Sequence, residues 1–364
     1  EGVLDKHVSP YYKRLKEIGY SYFKTDAIRH LFYDGLRQAV CKGLITNDDA
    51  EQRFRRFLQC ARESIGEDAY LLACWGVLTE AVGLADACRI ATDSNPSWPA
   101  ICMQIVESAR WFHTQRILFL NDPDHVCVRT ELEWARSVLS LVSLSGSLFM
   151  ISDPVQEYDE ARLRMIQQCL PPLGTTTAET GPLDISYSAF PRGIDGKIEL
   201  DVPRGKYPFS TLWAVHINSH GKSWCVMGRF AVVPLEACSV NLEDLGLNPD
   251  LDYHVFDFWE QKYLGRKSET IDCRALNLGH CQILGLRKVE EHPQLIASSR
   301  HISMDAVSVI SEIWNENVLT IELTGIVDSC EEYWVYIPEG YTLINVNSQN
   351  GNVSWSQRGD VVQI

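Results

Sequence analysis

Gly19 to His30 reads GYSYFKTDAIRH. A strand-like run ends in Lys-Thr-Asp and passes at once into helix-forming sequence. Side chains alternate faces along a strand, so Lys24 and Asp26 point one way and Thr25 the other. An ionisable pair closing an otherwise apolar strand has two readings. Either Asp26 caps the following helix, AIRHLFYDGLRQAV, with Lys24 as a solvated neighbour, or the pair belongs to a site at the strand's end. The rest of the chain decides.

The same pattern recurs downstream. YSYFKTD (20–26), AYLLACW (69–75), ACRIATD (87–93), RILFLNDPD (116–124) and GSLFMISDP (146–154) are short apolar runs. Helical sequence precedes and separates them. SPYYKRLKEIG has Ser9 as cap, Pro10 in the first turn and Gly19 as stop. AEQRFRRFLQCARESIG, WPAICMQIVESARWFHT and RTELEWARSVLSLVSLS follow. Regular β-α alternation implies parallel strands with right-handed crossovers, and near-continuous apolar strands imply burial on both faces.

Four of the runs close on aspartate and one on Cys-Trp. Polar residues gathered at the carboxyl ends of parallel strands are the layout of a (β/α)8 barrel active site. Five units fall short of eight, and the chain opens on a helix. The expectation for residues 1–171 is therefore an α/β fold, the fourth to eighth βα units of a TIM barrel, with an open doubly wound sheet as the alternative.

From about residue 172 the texture changes. KIELDV, LWAVHIN, WCVMGRFAVV, YHVFDFW and CQILGLRKV are short, alternating segments among frequent Gly, Pro, Thr and Asn, the signature of an antiparallel β-sandwich. We assign it to 172–298. Residues 299–364 hold a last β set, either a second small sandwich or a continuation of the first.

The 364 residues are 45% hydrophobic and 22% charged, with a net charge of −15. That balance describes a soluble globular chain and argues against nucleic acid or an anionic membrane as partner. The 12 cysteines show no C-x-x-C pair. They read as reduced, buried thiols, which favours a cytoplasmic over a secreted setting. Neither cysteine nor histidine spacing supports a metal site or calls for a cofactor.

Lys24 and Asp26 in YFKTD, Cys74 and Trp75 in ACWG, Arg89 and Asp93 in CRIATDSNPSW, and Asn121 to Asp124 in NDPD resemble, in order and spacing, the α-galactosidase (melibiase) glycoside hydrolases. These are clan D retaining enzymes. Family 36 is the closest fit and family 27 the next, over about residues 8–155. The resemblance implies hydrolysis of terminal α-galactosides. The chemistry needs an ionised carboxylate as nucleophile and a protonated one as acid. Asp26, beside the positive Lys24, suits the first role. Asp93, expected near Trp98 and so partly desolvated, suits the second.

The resemblance further implies that Lys24 binds sugar hydroxyls, that Arg89 lies near the sugar 2-position and the acid, and that the NDPD loop, with Asp124, shapes the pocket. Trp75 is a stacking platform or core. Family 27 enzymes place a glutamate between such a Cys and Trp to hold the 2-hydroxyl. Here none intervenes, so 2-amino and 2-acetamido sugars stay open, and with them an α-N-acetylgalactosaminidase or galactosaminidase. The family's paired aspartates for the 4- and 6-hydroxyls have no counterpart in this sequence. They are expected on an upstream segment that completes the barrel. A non-catalytic carbohydrate-binding relative is the other alternative, and a homo-oligomer is left open.

Overall fold

In the computed structural model of the chain, residues 2–75, 78–175, 179–184, 186–189, 206–326, 329–349 and 351–364 are described. Tyr22–Thr25 (β1), Tyr70–Ala73 (β2), Ala87–Arg89 (β3) and Leu120–Asp122 (β4) form one parallel sheet in the order β1-β2-β3-β4. A doubly wound sheet reverses its strand order at a switch point, whereas this one runs sequentially. With right-handed crossovers, sequential order places the connecting helices on a single face, which is the arc of a barrel.

The two faces of the sheet differ as that arrangement requires. On one, Phe23 and Leu71 pack against Ala61 and Ile65 of the helix Asn47–Ile65. Ala73 and Cys88 meet Phe54 and Leu58 of the same helix. On the other, Tyr22 stacks on Tyr70 at 5.4 Å, and Leu72, Ala87, Leu120 and Leu148 share a second apolar cluster. Alternation carries Lys24 and Arg89 onto this inner face.

The helices start and stop for local reasons. Thr46 and Asp49 form a reciprocal capping box at Asn47, satisfying two N–H groups that the first turn leaves open. The helix Ser9–Ile18 ends at Gly19 with φ +108°, a left-handed conformation that glycine adopts without strain. Ser9 does not cap it, because the backbone is already helical through the π-turn Leu4–Val8.

The run at 146–154 does not form the fifth strand expected of it. Its backbone makes one bond to β4, from Leu148 N–H to the Asn121 carbonyl (2.8 Å), and then Met150 accepts from Val126 (2.8 Å). Pro123 ends β4, having no N–H to extend a ladder and a fixed φ that turns the chain away. The next segment consequently finds a loop, not a strand, as its neighbour.

The second half is antiparallel. Six strands run in the order Lys262–Lys267, Tyr253–Asp257, Cys281–Lys288, Lys222–Phe230, Leu212–Ser219, Thr180–Pro182. A four-stranded sheet, Gln294–Ser298, Tyr333–Tyr336, Val361–Gln363 and Ser356–Arg358, packs against it. Phe256 meets Trp334 with ring centroids 4.6 Å apart, and His254 meets Tyr336 at 4.4 Å. One apolar cluster unites both sheets with the helices Trp98–Arg110, Leu132–Ser145 and Glu160–Cys169. At this junction Ser137 Oγ donates to the Gly279 carbonyl (2.6 Å), and a Cβ at Gly279 would overlap the Trp134 ring. The KIELDV segment lies outside the described residues. All 12 cysteines are free thiols, most of them buried. Among the described residues no helix is long and apolar enough to cross a membrane.

Candidate active site

At the carboxyl ends of β1 to β4 lies an open cavity of about 420 Å³, lined by Lys24, Asp26, His30, Cys74, Trp75, Arg89, Asp93, Ser94, Asp124 and His125 among others. Seven of the eight residues singled out in the sequence meet here. Trp98 does not. It opens the helix Trp98–Arg110, is 5% exposed, and packs against Trp134 at 5.6 Å in the main core. Placing Trp98 beside Asp93 is therefore corrected: the helix that begins at Trp98 turns the indole toward the sandwich.

Asp26 is not a helix cap. Its Oδ1 accepts the N–H of Ala27 (2.7 Å), while the short helix Ile28–His30 has no side-chain cap. A hydrogen bond from the Cys74 thiol, the Ala27 N–H and the charges of Lys24 and Arg89 together hold the Asp26 carboxyl below the usual carboxylate range. Burial pushes the Cys74 thiol up to about 12, so it remains a neutral donor.

Asp93 lies beyond the end of β3, in the segment that follows it, with its side chain 68% exposed. Its Oδ1 accepts from Arg89 Nη1 (3.0 Å) and from Trp75 Nε1 (2.8 Å). Trp75 lines the cavity and packs beside the Leu72, Cys74 and Ala87 cluster, and it has a further contact that the sequence did not suggest. Arg29 covers its ring, with Cζ 3.9 Å from the centroid, and its indole N–H orients Asp93. Cys74 and Trp75, adjacent at the end of β2, hold one carboxylate each.

Arg89 is the centre of the site. Its side chain, 3% exposed, reaches Asp122 through Nε (3.3 Å), Asp124 through Nη2 (2.7 Å) and Asp93 through Nη1. The parallel register sets Arg89 beside Asp122. Asp122, wholly buried, was named in the sequence only as part of the NDPD loop, and its ion pair with Arg89 was not foreseen. Its signal was there in NDPD, since alternation turns Asn121 outward and Asp122 inward. His30, Ser94 and His125 also line the cavity and carry no sequence signal of their own. Buried Gln104 fixes the loop after β4, donating from Nε2 to the Pro123 and His125 carbonyls (both 2.9 Å).

Ala27, Trp75 and Asp124 all have positive φ, +52°, +50° and +75°. Each is a non-glycine residue in a strained region just past a strand end, as at many functional sites.

Burial alone would raise the Asp124 carboxyl, but the bond with His125, the Arg89 charge and the Ser94 N–H hold it at about 2. A carboxylate lowered on folding contributes stability that is present above its unfolded value, near 3.8, and is lost as pH falls toward the folded value. The full contribution is about 2 kcal/mol. Burial raises Asp122, so its pH dependence runs the other way: the stability it contributes is full below its unfolded value and is lost as pH rises through the folded one. Urea unfolding of wild type and Asp124→Asn at pH 6 and pH 3 separates the two. The wild type is expected to lose more stability on acidification than the variant, and equal losses would contradict the assignment.

One group of possible metal ligands occurs among the described residues: His125, Cys127 and Asp153, with ligand atoms within 4.8 Å of one another. Asp153 is already committed. It accepts from Arg129 Nε (2.9 Å) and from the N–H groups of Val128 (2.6 Å) and Arg129 (3.1 Å), and the arginine supplies the charge a cation would bring.

No family model matches the sequence. The structure does resemble solved ones. A GH27 β-L-arabinopyranosidase from Geobacillus stearothermophilus aligns with a TM-score of 0.52 at 14% identity, over 78% of this chain and 63% of that one. α-Galactosidase I from Mortierella vinacea aligns at 0.50 and 14% identity, over 76% and 70%. An isomalto-dextranase from Arthrobacter globiformis T6 aligns at 0.50 and 17% identity, over 90% and 56%. The shared property is the fold of these glycoside hydrolases, of which the chain spans less than two thirds of the arabinopyranosidase.

Proposed function

We propose that this chain carries the catalytic carboxylates of a retaining α-glycoside hydrolase that releases terminal α-galactosyl units by double displacement. The observation that carries the reading is the pairing of two differently held carboxylates, Asp26 and Asp93, in one cavity at the strand ends. Asp26, kept ionised, attacks the anomeric carbon. The C–O bond to the leaving group breaks, and that oxygen takes a proton from Asp93. The resulting glycosyl ester on Asp26 is cleaved by water, which gives its proton back to Asp93. Retaining enzymes place such carboxyls about 5–5.5 Å apart.

Both donors to Asp93 converge on Oδ1, leaving Oδ2 to carry the proton. Trp75→Phe keeps the ring beneath Arg29 and removes one hydrogen bond to Asp93. A bond to a charged group contributes about 1.5–3 kcal/mol, so kcat is expected to fall roughly 10- to 100-fold. The alkaline limb of the pH–rate profile, along which the general acid loses its proton, should move with it. An unchanged profile would remove Trp75 from this role.

Clan D membership, nearer to family 36 than family 27, is part of the proposal. It is supported by the order of the motifs and by the adjacency of Cys74 and Trp75. The same adjacency keeps an α-N-acetylgalactosaminidase as the second reading. A panel of nitrophenyl α-glycosides given to the complete protein tests both. Fastest release from the α-galactoside is expected; fastest release from the 2-acetamido sugar would favour the second reading, and no release at all would defeat the hydrolase.

Among the described residues no strand lies beside the outer edge of β1 in the sheet, and Tyr20 and Tyr22 there are 56% and 44% exposed. Open edges and apolar faces of this kind are covered in stable folds. We propose that βα units outside residues 1–364 close the barrel and bring the carboxylates for the sugar 4- and 6-hydroxyls. Residues 1–364 expressed alone are then expected to show no α-galactoside hydrolysis; turnover by this piece unaided would refute it.

A further inference from the structure

Two of the 12 free thiols stand directly opposite each other. Cys238–Asn241 and Thr270–Cys273 form a two-stranded antiparallel sheet in which Cys238 pairs with Cys273, Ser239 with Asp272 and Val240 with Ile271. Opposed residues in such a pair share a face and have Cα atoms about 4.5–5.5 Å apart. A disulfide needs Cα atoms about 4.4–6.8 Å apart with the two Cβ bonds turned toward each other. Register alone therefore puts this pair within bridging reach. The thiols already touch, Cys238 being a side-chain hydrogen-bond partner of Cys273.

The ribbon around the pair is fixed from both sides. Arg229 donates from Nη1 to the Arg274 carbonyl (2.7 Å) and from Nη2 to the Glu236 carbonyl (3.1 Å). It thereby ties one strand just after Cys273 to the other just before Cys238. Beyond that clamp, Leu235 and Leu276 exchange both backbone bonds (2.9 and 2.8 Å). On the near side Val240 and Ile271 are anchored in an apolar cluster with Cys225, Met227 and Leu284. The strands cannot slide past each other without breaking these contacts, so the two sulfurs stay paired. They differ in access. Cys238 is exposed, whereas Cys273 is 3% exposed. Burial pushes the Cys273 thiol up to about 11, and its bond to the Ile271 carbonyl is long at 3.9 Å. A reagent meets Cys238 first, with a loosely held second thiol behind it.

We propose that Cys238 and Cys273 form a redox modification site, which takes a small-molecule disulfide and closes into a cross-strand bridge. The Cys238 thiolate attacks one sulfur of the reagent, whose S–S bond breaks. Half of the reagent stays on Cys238 as a mixed disulfide, and the other half leaves as a thiol with the proton that Cys238 gave up. Cys273, losing its own proton, then attacks the Cys238 sulfur and expels the second half as a thiol. Both cysteines are oxidised by one electron each, and one disulfide is reduced to two thiols. The product links the two strands that Arg229 already holds in register.

The test is a peptide map, made without reductant, of the complete protein after exposure to hydroxyethyl disulfide. Tryptic cleavage at Lys262 and Lys267 parts the two cysteines. A linked pair of peptides holding Cys238 and Cys273 is expected, lighter by two hydrogen atoms than the reduced pair. Cys41 and Cys330 are exposed but lie outside the strands, so they should keep the hydroxyethyl adduct. In Cys273→Ser the adduct should remain on Cys238 as well. Should that variant fail to fold, Cys238→Ser serves, because its site is exposed; buried Cys273 should then stay unmodified. If wild-type Cys238 keeps its adduct, if Cys273 bonds another cysteine, or if Cys273 reacts in Cys238→Ser, the proposal fails. The outcome is independent of whether Asp26 and Asp93 catalyse.

Discussion

Asp26→Ala is expected to leave a folded protein that turns over no α-glycoside. Removing an enzyme's covalent nucleophile lowers kcat on the order of 10⁶-fold. The fold should survive, because Asp26 is exposed and accepts only from the Ala27 N–H and the Cys74 thiol. Surface changes of this kind stay within about 0.5 kcal/mol. Added azide tells the roles apart. In Asp26→Ala it fills the space of the missing carboxylate and attacks the α-glycoside directly, so a single displacement gives the inverted β-glycosyl azide. In Asp93→Ala the Asp26 ester still forms, and azide opens it from the opposite side to give the α-azide, with the configuration retained. Without azide, Asp93→Ala should lose about 10²–10⁴-fold on substrates with poor leaving groups and much less on activated ones. Product stereochemistry by NMR reads the result. Full activity in Asp26→Ala, or an α-azide from it, would overturn the assignment.

Arg89→Met is expected to be the most destabilising change at the site. Its guanidinium is 3% exposed and contacts Asp122 and Asp124, whose side chains are 0% and 7% exposed. Removing one partner of a buried ion pair leaves uncompensated charge and typically costs about 3–5 kcal/mol. Asp122 alone would then be driven further toward its protonated form, since burial already raises it and Arg89 is the largest opposing charge. The unfolding midpoint in urea should drop accordingly, with the m-value unchanged. Asp122→Asn in the Arg89→Met background should recover part of the loss, because it removes a charge that the first substitution stranded. A double variant no more stable than Arg89→Met would show that packing, not charge, dominates the effect.

Some of this molecule is legible in its residues alone. A two-residue period puts Lys24 and Asp26 on one face whatever surrounds them, and both line the cavity. The alternation of apolar runs with capped helical segments foretold parallel strands, because a short connection cannot return a chain parallel to itself without a crossover. The change to short alternating segments near residue 172 foretold antiparallel sheets for the same kind of reason. Where a rule is local, the sequence suffices.

What escaped the sequence depended on which distant groups become neighbours. Arg89 meets Asp122 because the parallel register of β3 and β4 pairs them across 33 residues, and no local pattern encodes a register. Trp75 reaches Asp93 across 18 residues because their strands lie side by side, so a ring read as platform or core also serves as a hydrogen-bond donor. Trp98 went the other way, five residues from Asp93 yet turned into the core against Trp134, because the helix it begins faces the sandwich. The run at 146–154 has strand composition, but a strand exists only with a continuous ladder, and Pro123 withdrew the partner it needed. Periodicity assigns a side chain to a face; only the packed chain decides what stands opposite that face.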